Sequence, residues 1–369
     1  MRKILVFLMA VSLVFVLSAP IPAADKTIEE RVTALENIFG AWSFYGSARF
    51  QTFYEDKNLD AETDDAGTTW DLQGNARIGS TVTKDKIGGA FEFGVDDDAA
   101  VSTRKLFGTY DFGTGKVLFG QDYTPLGSMF YSNQVWNADN DLLGWGQLYG
   151  GRVPQVKIMV KGLEVALVEN KQAAPEVDDG DVDVTLPKLE IRYNLQKDKL
   201  FADLFGGFQT FEIEDVVIDT TNYGDETVNS WALGIGGGLN LDPAFIRASI
   251  YMGQNVKNAG WSHQDASGAL FDADGSLIDE DNFGGLLVVG SKIDKYTVEA
   301  GFGYVSSELD VSGAEANTAM SYYLNCTVPV YGGFFFVPEV GFLDYGDGND
   351  GEDEEKDTTY FGAKWQINF

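Results

Sequence analysis

Cysteine is all but missing from the chain: Cys326 is the only one, so no internal disulfide can form. Histidine is as scarce. His263 stands alone between Trp261 and Asp265, without the nucleophile and paired base that hydrolytic chemistry needs, and this argues against an enzyme. Basic residues are in deficit, 26 Lys and Arg against 57 Asp and Glu, for a formal net charge of −31. With no basic patch to neutralise phosphates, nucleic acid is excluded as a partner. Long apolar runs are absent beyond residue 24, and no window there approaches the roughly 18 residues of a spanning helix, which excludes transmembrane helices.

What is abundant points elsewhere. The chain holds 43 glycines, 26 phenylalanines and 16 tyrosines, many aromatics for so acidic a composition. Arg2 and Lys3 precede an apolar run from Ile4 to Leu17, followed by Ser18, Ala19, Pro20 and then Ala23 and Ala24. A positive start, a short apolar core and a small-residue exit make residues 1–24 a secretory signal peptide. Residues 25–40, DKTIEERVTALENIFG, carry Ile28, Val32, Leu35 and Phe39 on a heptad seam, with Thr27 and Glu30 spaced as a capping box. A helix this short wants partners, either other copies in a parallel coiled coil, with three chains expected, or its own domain.

From Trp42 the apolar period changes to two. In residues 69–82, Trp70, Leu72, Ile78 and Val82 alternate with Asp71, Gln73, Asn75, Arg77 and Thr81. About sixteen such strands are expected, near 42–55, 69–82, 87–95, 104–112, 116–121, 152–160, 163–169, 184–193, 199–211, 228–239, 243–254, 283–291, 295–305, 319–328, 334–343 and 359–369. Short turns alternate with long connections at 56–68, 96–103, 122–151, 170–183, 212–227, 255–282, 306–318 and 344–358. That order excludes a Greek-key sandwich and predicts an all-β fold, an antiparallel up-and-down transmembrane β-barrel over residues 41–369. The stretch 121–151, QDYTPLGSMFYSNQVWNADNDLLGWGQLYGG, breaks the alternation, with Pro125, five glycines and irregular aromatics. A long loop without period is expected to have a job of its own, here folding into the barrel lumen.

The last strand, with Phe361, Trp365, Ile367 and Phe369 on one face, ends the chain on an aromatic residue. Together with the signal segment and the long loop after the fifth strand, it resembles the general porins of Gram-negative outer membranes, which are trimeric and sixteen-stranded. The GQDYTPL, YMGQN and VPEVGF segments, with the short N-terminal helix, are similar to porins of anaerobic sulfate- and metal-reducing bacteria. The resemblance implies an outer-membrane location, a homotrimer in contact with lipid and lipopolysaccharide, and Phe369 as the signal read by the barrel assembly machinery. It also implies a passive channel for small hydrophilic solutes and ions.

In that family an acidic third loop faces a basic wall across the pore. Here Asp122, Asp139 and Asp141 are the candidate acids, and Arg49, Arg77, Lys105 and Lys364, inward on neighbouring strands, the candidate wall. The plainer alternative leaves the aspartates solvated and pairs Arg49 and Arg77 with Asp71 or Glu92. Glu164, Lys188, Glu190, Arg192, Asp203, Arg247, Glu299 and Glu339 are also expected inside and nearly cancel. The remaining acidity lies in the long outer connections, which predicts a weak cation preference. Those connections lack calcium-loop ligand spacing, so no cofactor or built metal site is expected beyond weak Ca²⁺ or Mg²⁺ association. Cys326 is expected on the outer face. A solute-selective porin for anions or organic acids, and a non-conducting structural barrel, are the alternatives.

Overall fold

The computed structural model describes residues 41–57, 65–95, 100–170, 173–177, 179–218, 220–272, 274–346 and 357–369, together with Ile28. Ile28 is helical and exposed. The other members of the heptad seam, Val32, Leu35 and Phe39, and the signal segment lie outside the described residues.

In chain order the strands are β1 (Trp42–Lys57), β2 (Asp65–Leu72), β3 (Arg77–Lys84), β4 (Ile87–Val95), β5 (Val101–Asp111), β6 (Lys116–Tyr123) and β7 (Arg152–Val160). There follow β8 (Leu163–Val168), β9 (Asp179–Asp183), β10 (Lys188–Lys197), β11 (Leu200–Ile218), β12 (Thr221–Asn240) and β13 (Ala244–Gln254). The rest are β14 (Leu270–Phe271), β15 (Leu277–Ile278), β16 (Glu280–Ile293), β17 (Tyr296–Leu309), β18 (Asn317–Tyr331), β19 (Phe334–Asp344) and β20 (Thr358–Asn368). β14 and β15 form a separate small hairpin. β2 with β3, and β9 with β10, run end to end beside a common partner, so the remaining eighteen segments make sixteen antiparallel staves. β20 pairs with β1 from Ser47↔Asn368 to Lys57↔Thr358 and closes the barrel. Closure leaves no open sheet edge, as a bilayer-spanning sheet requires.

Alternation along the staves sorts side chains by face. Trp70, Ile78, Leu106, Leu233, Met252 and Phe361 stand exposed on the outside. Tyr322 and Leu324 do likewise on β18, and Cys326 continues their face. Exposed Tyr110, Phe112, Tyr296, Tyr331 and Phe369 gather at the short-turn end, where an aromatic girdle belongs. Phe369 is tied in by paired backbone hydrogen bonds with Gly46 of 2.7 and 3.0 Å, and its ring lies over that glycine.

All sixteen expected strands are present, but several expected boundaries move. Residues 212–218 and 221–227, expected in a loop, belong instead to β11 and β12, which run on to Ile218 and start at Thr221. That projection has its own apolar cluster of Phe211, Ile213, Val216, Val228 and Ala269, with Phe271 and Leu277 from the small hairpin packed on it. Part of the expected loop 170–183 is β9, paired to β11 there. The strand expected over 69–82 is interrupted between Leu72 and Arg77, where Gln73 is buried and donates to the Val135 carbonyl at 2.9 Å.

The main apolar cluster lies inside the barrel. Leu126, Met129, Tyr131, Val135, Trp136, Leu142, Trp145 and Leu148 of the segment 124–151 pack with inward Phe205, Tyr251, Val288, Val305, Tyr323 and Tyr360 of the wall. Burial of a large side chain contributes about 1.5–3 kcal/mol, so this packing holds the segment against the staves from β11 to β20. Close approach requires missing side chains. A Cβ on Gly303 would overlap the Trp145 carbonyl, while one on Gly332 would meet nothing.

Gly303→Ala is therefore expected to leave the barrel assembled, with heat-modifiable mobility in gels, yet to speed chymotrypsin cleavage within residues 124–151 several-fold. Gly332→Ala should cleave at the unmodified rate. Equal rates for the two variants would contradict this packing.

Candidate functional site

Carboxylates on the barrel wall meet backbone N–H groups on the infolded segment. Glu339 of β19 accepts from Val135 at 2.7 Å and from Trp136 at 2.9 Å. Glu299 of β17 accepts from Asn133 at 2.6 Å, and Glu190 of β10 from Leu126 at 3.0 Å. The three are 4%, 3% and 0% exposed, so they face the loop rather than water. Around them the Tyr131 hydroxyl donates to Asp203 at 2.7 Å, and Gln134 donates to Tyr360 and Ser321 at 2.8 and 3.0 Å. The Trp136 ring stacks on Tyr360 at 5.1 Å.

Asn137, Ala138 and Asp139 take successive left-handed conformations, with φ of 47°, 60° and 61°. Such a turn costs about 1–2 kcal/mol per non-glycine residue. It is offset by what it aims: the Asp139 carboxylate receives Arg49, Lys364 at 2.7 Å and Asn75 at 2.8 Å. Acid and basic wall thus touch at this point instead of facing one another across an opening, a departure from the expected arrangement.

Around that contact, the loop and the wall enclose a cavity of about 820 Å³ whose lining includes Asp139, Asp141, Arg49, Arg77 and Lys364. Asp122 is not a loop residue. It lies in β6, which runs two residues past its expected end, and pairs with Lys105 at 3.2 Å, so neither lines the cavity. The wall also contains Arg104, which the sequence reading did not single out. A bulge sets Glu92 opposite Lys105 and Phe93 opposite Thr103, so that consecutive cations both turn inward. Arg104 meets Glu92 at 2.7 Å and Arg77 meets the same carboxylate at 3.6 Å. Arg152, at the start of β7, also lines the cavity, held by the Tyr123 and Tyr149 hydroxyls at 3.1 and 3.3 Å. Only the broken register of the bulge would have betrayed Arg104, and no local pattern shows it.

A second connection also folds inward. Residues 255–279 lie against the first loop through Ser262 N–H to the Tyr149 carbonyl at 3.0 Å and Gln264 N–H to the Gly144 carbonyl at 2.8 Å. Trp261 donates to Glu190 at 2.9 Å, so one carboxylate holds both loops. His263 sits in this joint with Nδ1 2.6 Å from the Tyr251 hydroxyl. Burial pushes it down from its ordinary 6.5 to about 4.

Comparison with protein-family models finds no match, and comparison with curated proteins finds none either. Solved structures do resemble the chain. The outer membrane channel DcaP of Acinetobacter baumannii aligns with a TM-score of 0.68 at 17% identity, over 89% of this chain and 97% of that one. An anion-selective porin from Comamonas acidovorans aligns at 0.61 and 12% identity, over 89% and 99%. OmpT, an outer membrane protein of Vibrio cholerae in trimer form, aligns at 0.56 and 18% identity, over 89% and 99%. At such identities the likeness is one of fold.

Two outcomes are expected of the joints described. Glu339→Ala strands two buried N–H groups at about 1–3 kcal/mol each and should lower the midpoint of the near-ultraviolet dichroism melt, with Glu339→Gln intermediate. A midpoint unchanged by Glu339→Ala would show that the clamp carries no load. For His263, the closed loop holds the neutral ring, so stability is complete above about pH 6.5 and falls as pH drops towards 4, where the opened loop binds a proton the closed one refuses. Hydrogen exchange in residues 255–279 should accelerate across that interval and lose this step in His263→Gln.

Proposed function

We propose, on the premise that the chain has the sixteen-stranded fold of outer-membrane porins, that it is a passive outer-membrane channel for small hydrophilic solutes and ions whose constriction favours anions. The carrying observation is the cavity between loop and wall, lined by Arg49, Arg77, Arg104, Arg152 and Lys364 together with Asp139 and Asp141. Glu92, shared by two of the arginines, brings the local balance to five cations and three carboxylates. Glu190, Glu299 and Glu339 are instead buried under the loop and bound to its backbone.

The acidic outer connections pull the other way, and from charge totals alone a weak cation preference follows. Their field, however, is screened within about 8 Å at physiological salt. Charges lining a narrow passage with low-dielectric walls focus their potential on whatever passes. The constriction therefore outweighs the mouth. The anion-selective neighbour has the same fold, and the trimer form of another supports a homotrimer here, with the heptad seam of residues 25–40 as an added tie. Outward apolar side chains with an aromatic girdle support placement in the outer-membrane bilayer. Association with lipopolysaccharide and recognition of Phe369 by the assembly machinery belong to the same reading. His263, tied to Tyr251, is read as structural, and the chain as a channel without catalysis.

Planar-bilayer recording in a potassium chloride gradient tests this. Conductance closing in three equal steps with a chloride-leaning reversal potential is expected. A double Arg77→Gln and Arg104→Gln variant should move the reversal potential towards potassium. Cation preference in the unmodified protein would overturn the constriction argument, and a folded barrel without conductance would favour a structural role.

A further inference from the structure

One side chain of the infolded loop is out of place in an anion channel. Phe130 is 40% exposed and lines the cavity, whereas its neighbours Met129 and Tyr131 are each 1% exposed in the dry core. The chain direction that buries those two turns Phe130 towards water. Its ring stands edge-on to Tyr123 at 5.5 Å and tilted to Tyr149 at 6.4 Å, so these rings make a partly open apolar wall. Both tyrosine hydroxyls accept from the Arg152 guanidinium, which also lies over the Tyr123 ring at 5.1 Å. Among the described residues no carboxylate pairs with Arg152. A guanidinium held in place by phenols, without an acid of its own, keeps capacity for a bidentate carboxylate.

Resting on the channel reading above, we propose that Phe130, Tyr149 and Arg152 form a subsite within the constriction for a planar aromatic monocarboxylate. The ring lies against Phe130 and Tyr149, and the carboxylate meets Arg152. An aromatic surface beside a polar cavity also suits the apolar face of a neutral sugar, but an arginine with no carboxylate in ion-pair contact among the described residues favours an anion. An aromatic ring gains over a saturated one of similar size because edge-to-face contact with Phe130 and Tyr149 adds to burial.

The test is a saturation-transfer NMR titration of the full chain folded in detergent, at pH 7, with sodium benzoate, sodium cyclohexanecarboxylate and glucose as probes. Benzoate is expected to bind about threefold to tenfold more tightly than cyclohexanecarboxylate. Phe130→Ala should bring that ratio close to one, and Arg152→Gln should weaken both carboxylates together. Heat-modifiable mobility confirms that each variant is folded. A ratio near one in the unmodified protein, a ratio unchanged by Phe130→Ala, or glucose binding as tightly as benzoate would overturn the subsite. Potassium chloride conductance of the same preparation is read separately. Conductance without benzoate preference overturns the subsite alone, whereas benzoate preference without conductance supports the subsite and overturns the channel.

Discussion

The interior depends on one constraint: a loop folded into a barrel must find acceptors for its buried N–H groups. Strand ladders serve the wall but cannot serve a segment without regular structure. Glu190, Glu299 and Glu339 meet this need from three different staves, and each carboxylate there is buried against backbone donors. A charge-assisted hydrogen bond is stronger than a neutral one, and a stranded carboxylate would be costly. Loop and acids therefore require each other.

The asymmetry of the barrel lumen follows. Since the acids that hold the loop sit on staves from β10 to β19, the loop lies on that side and covers the apolar inward face of the wall. The cavity is left beside β1, β3, β5, β7 and β20, from which Arg49, Arg77, Arg104, Arg152 and Lys364 line it. A near balance of inward charge thus conceals an uneven placement: Glu190, Glu299 and Glu339 are held under the loop, while Arg49, Arg77, Arg104, Arg152 and Lys364 line the cavity. Asp139 is delivered to Arg49 and Lys364 by a left-handed turn.

Much of the fold was legible because strand alternation and turn chemistry are local. The sixteen staves, the inward positions of Arg49, Arg77 and Lys364, and the infolded loop can all be read from residue order. The misplaced features arise where locality fails. Arg104 turns inward only because a bulge breaks register between β4 and β5. The extension of β11 and β12 depends on Ala269, Phe271 and Leu277 arriving from a remote connection to build a core.

By itself, then, the sequence determined the barrel, its strand number, its two faces and the segment that enters it, because a period of two and a break in that period need no distant partner. Which charges remain available to a solute was decided only in three dimensions. That outcome depends on which carboxylates the loop backbone consumes, and hydrogen-bond partners 64 to 204 residues apart leave no local trace.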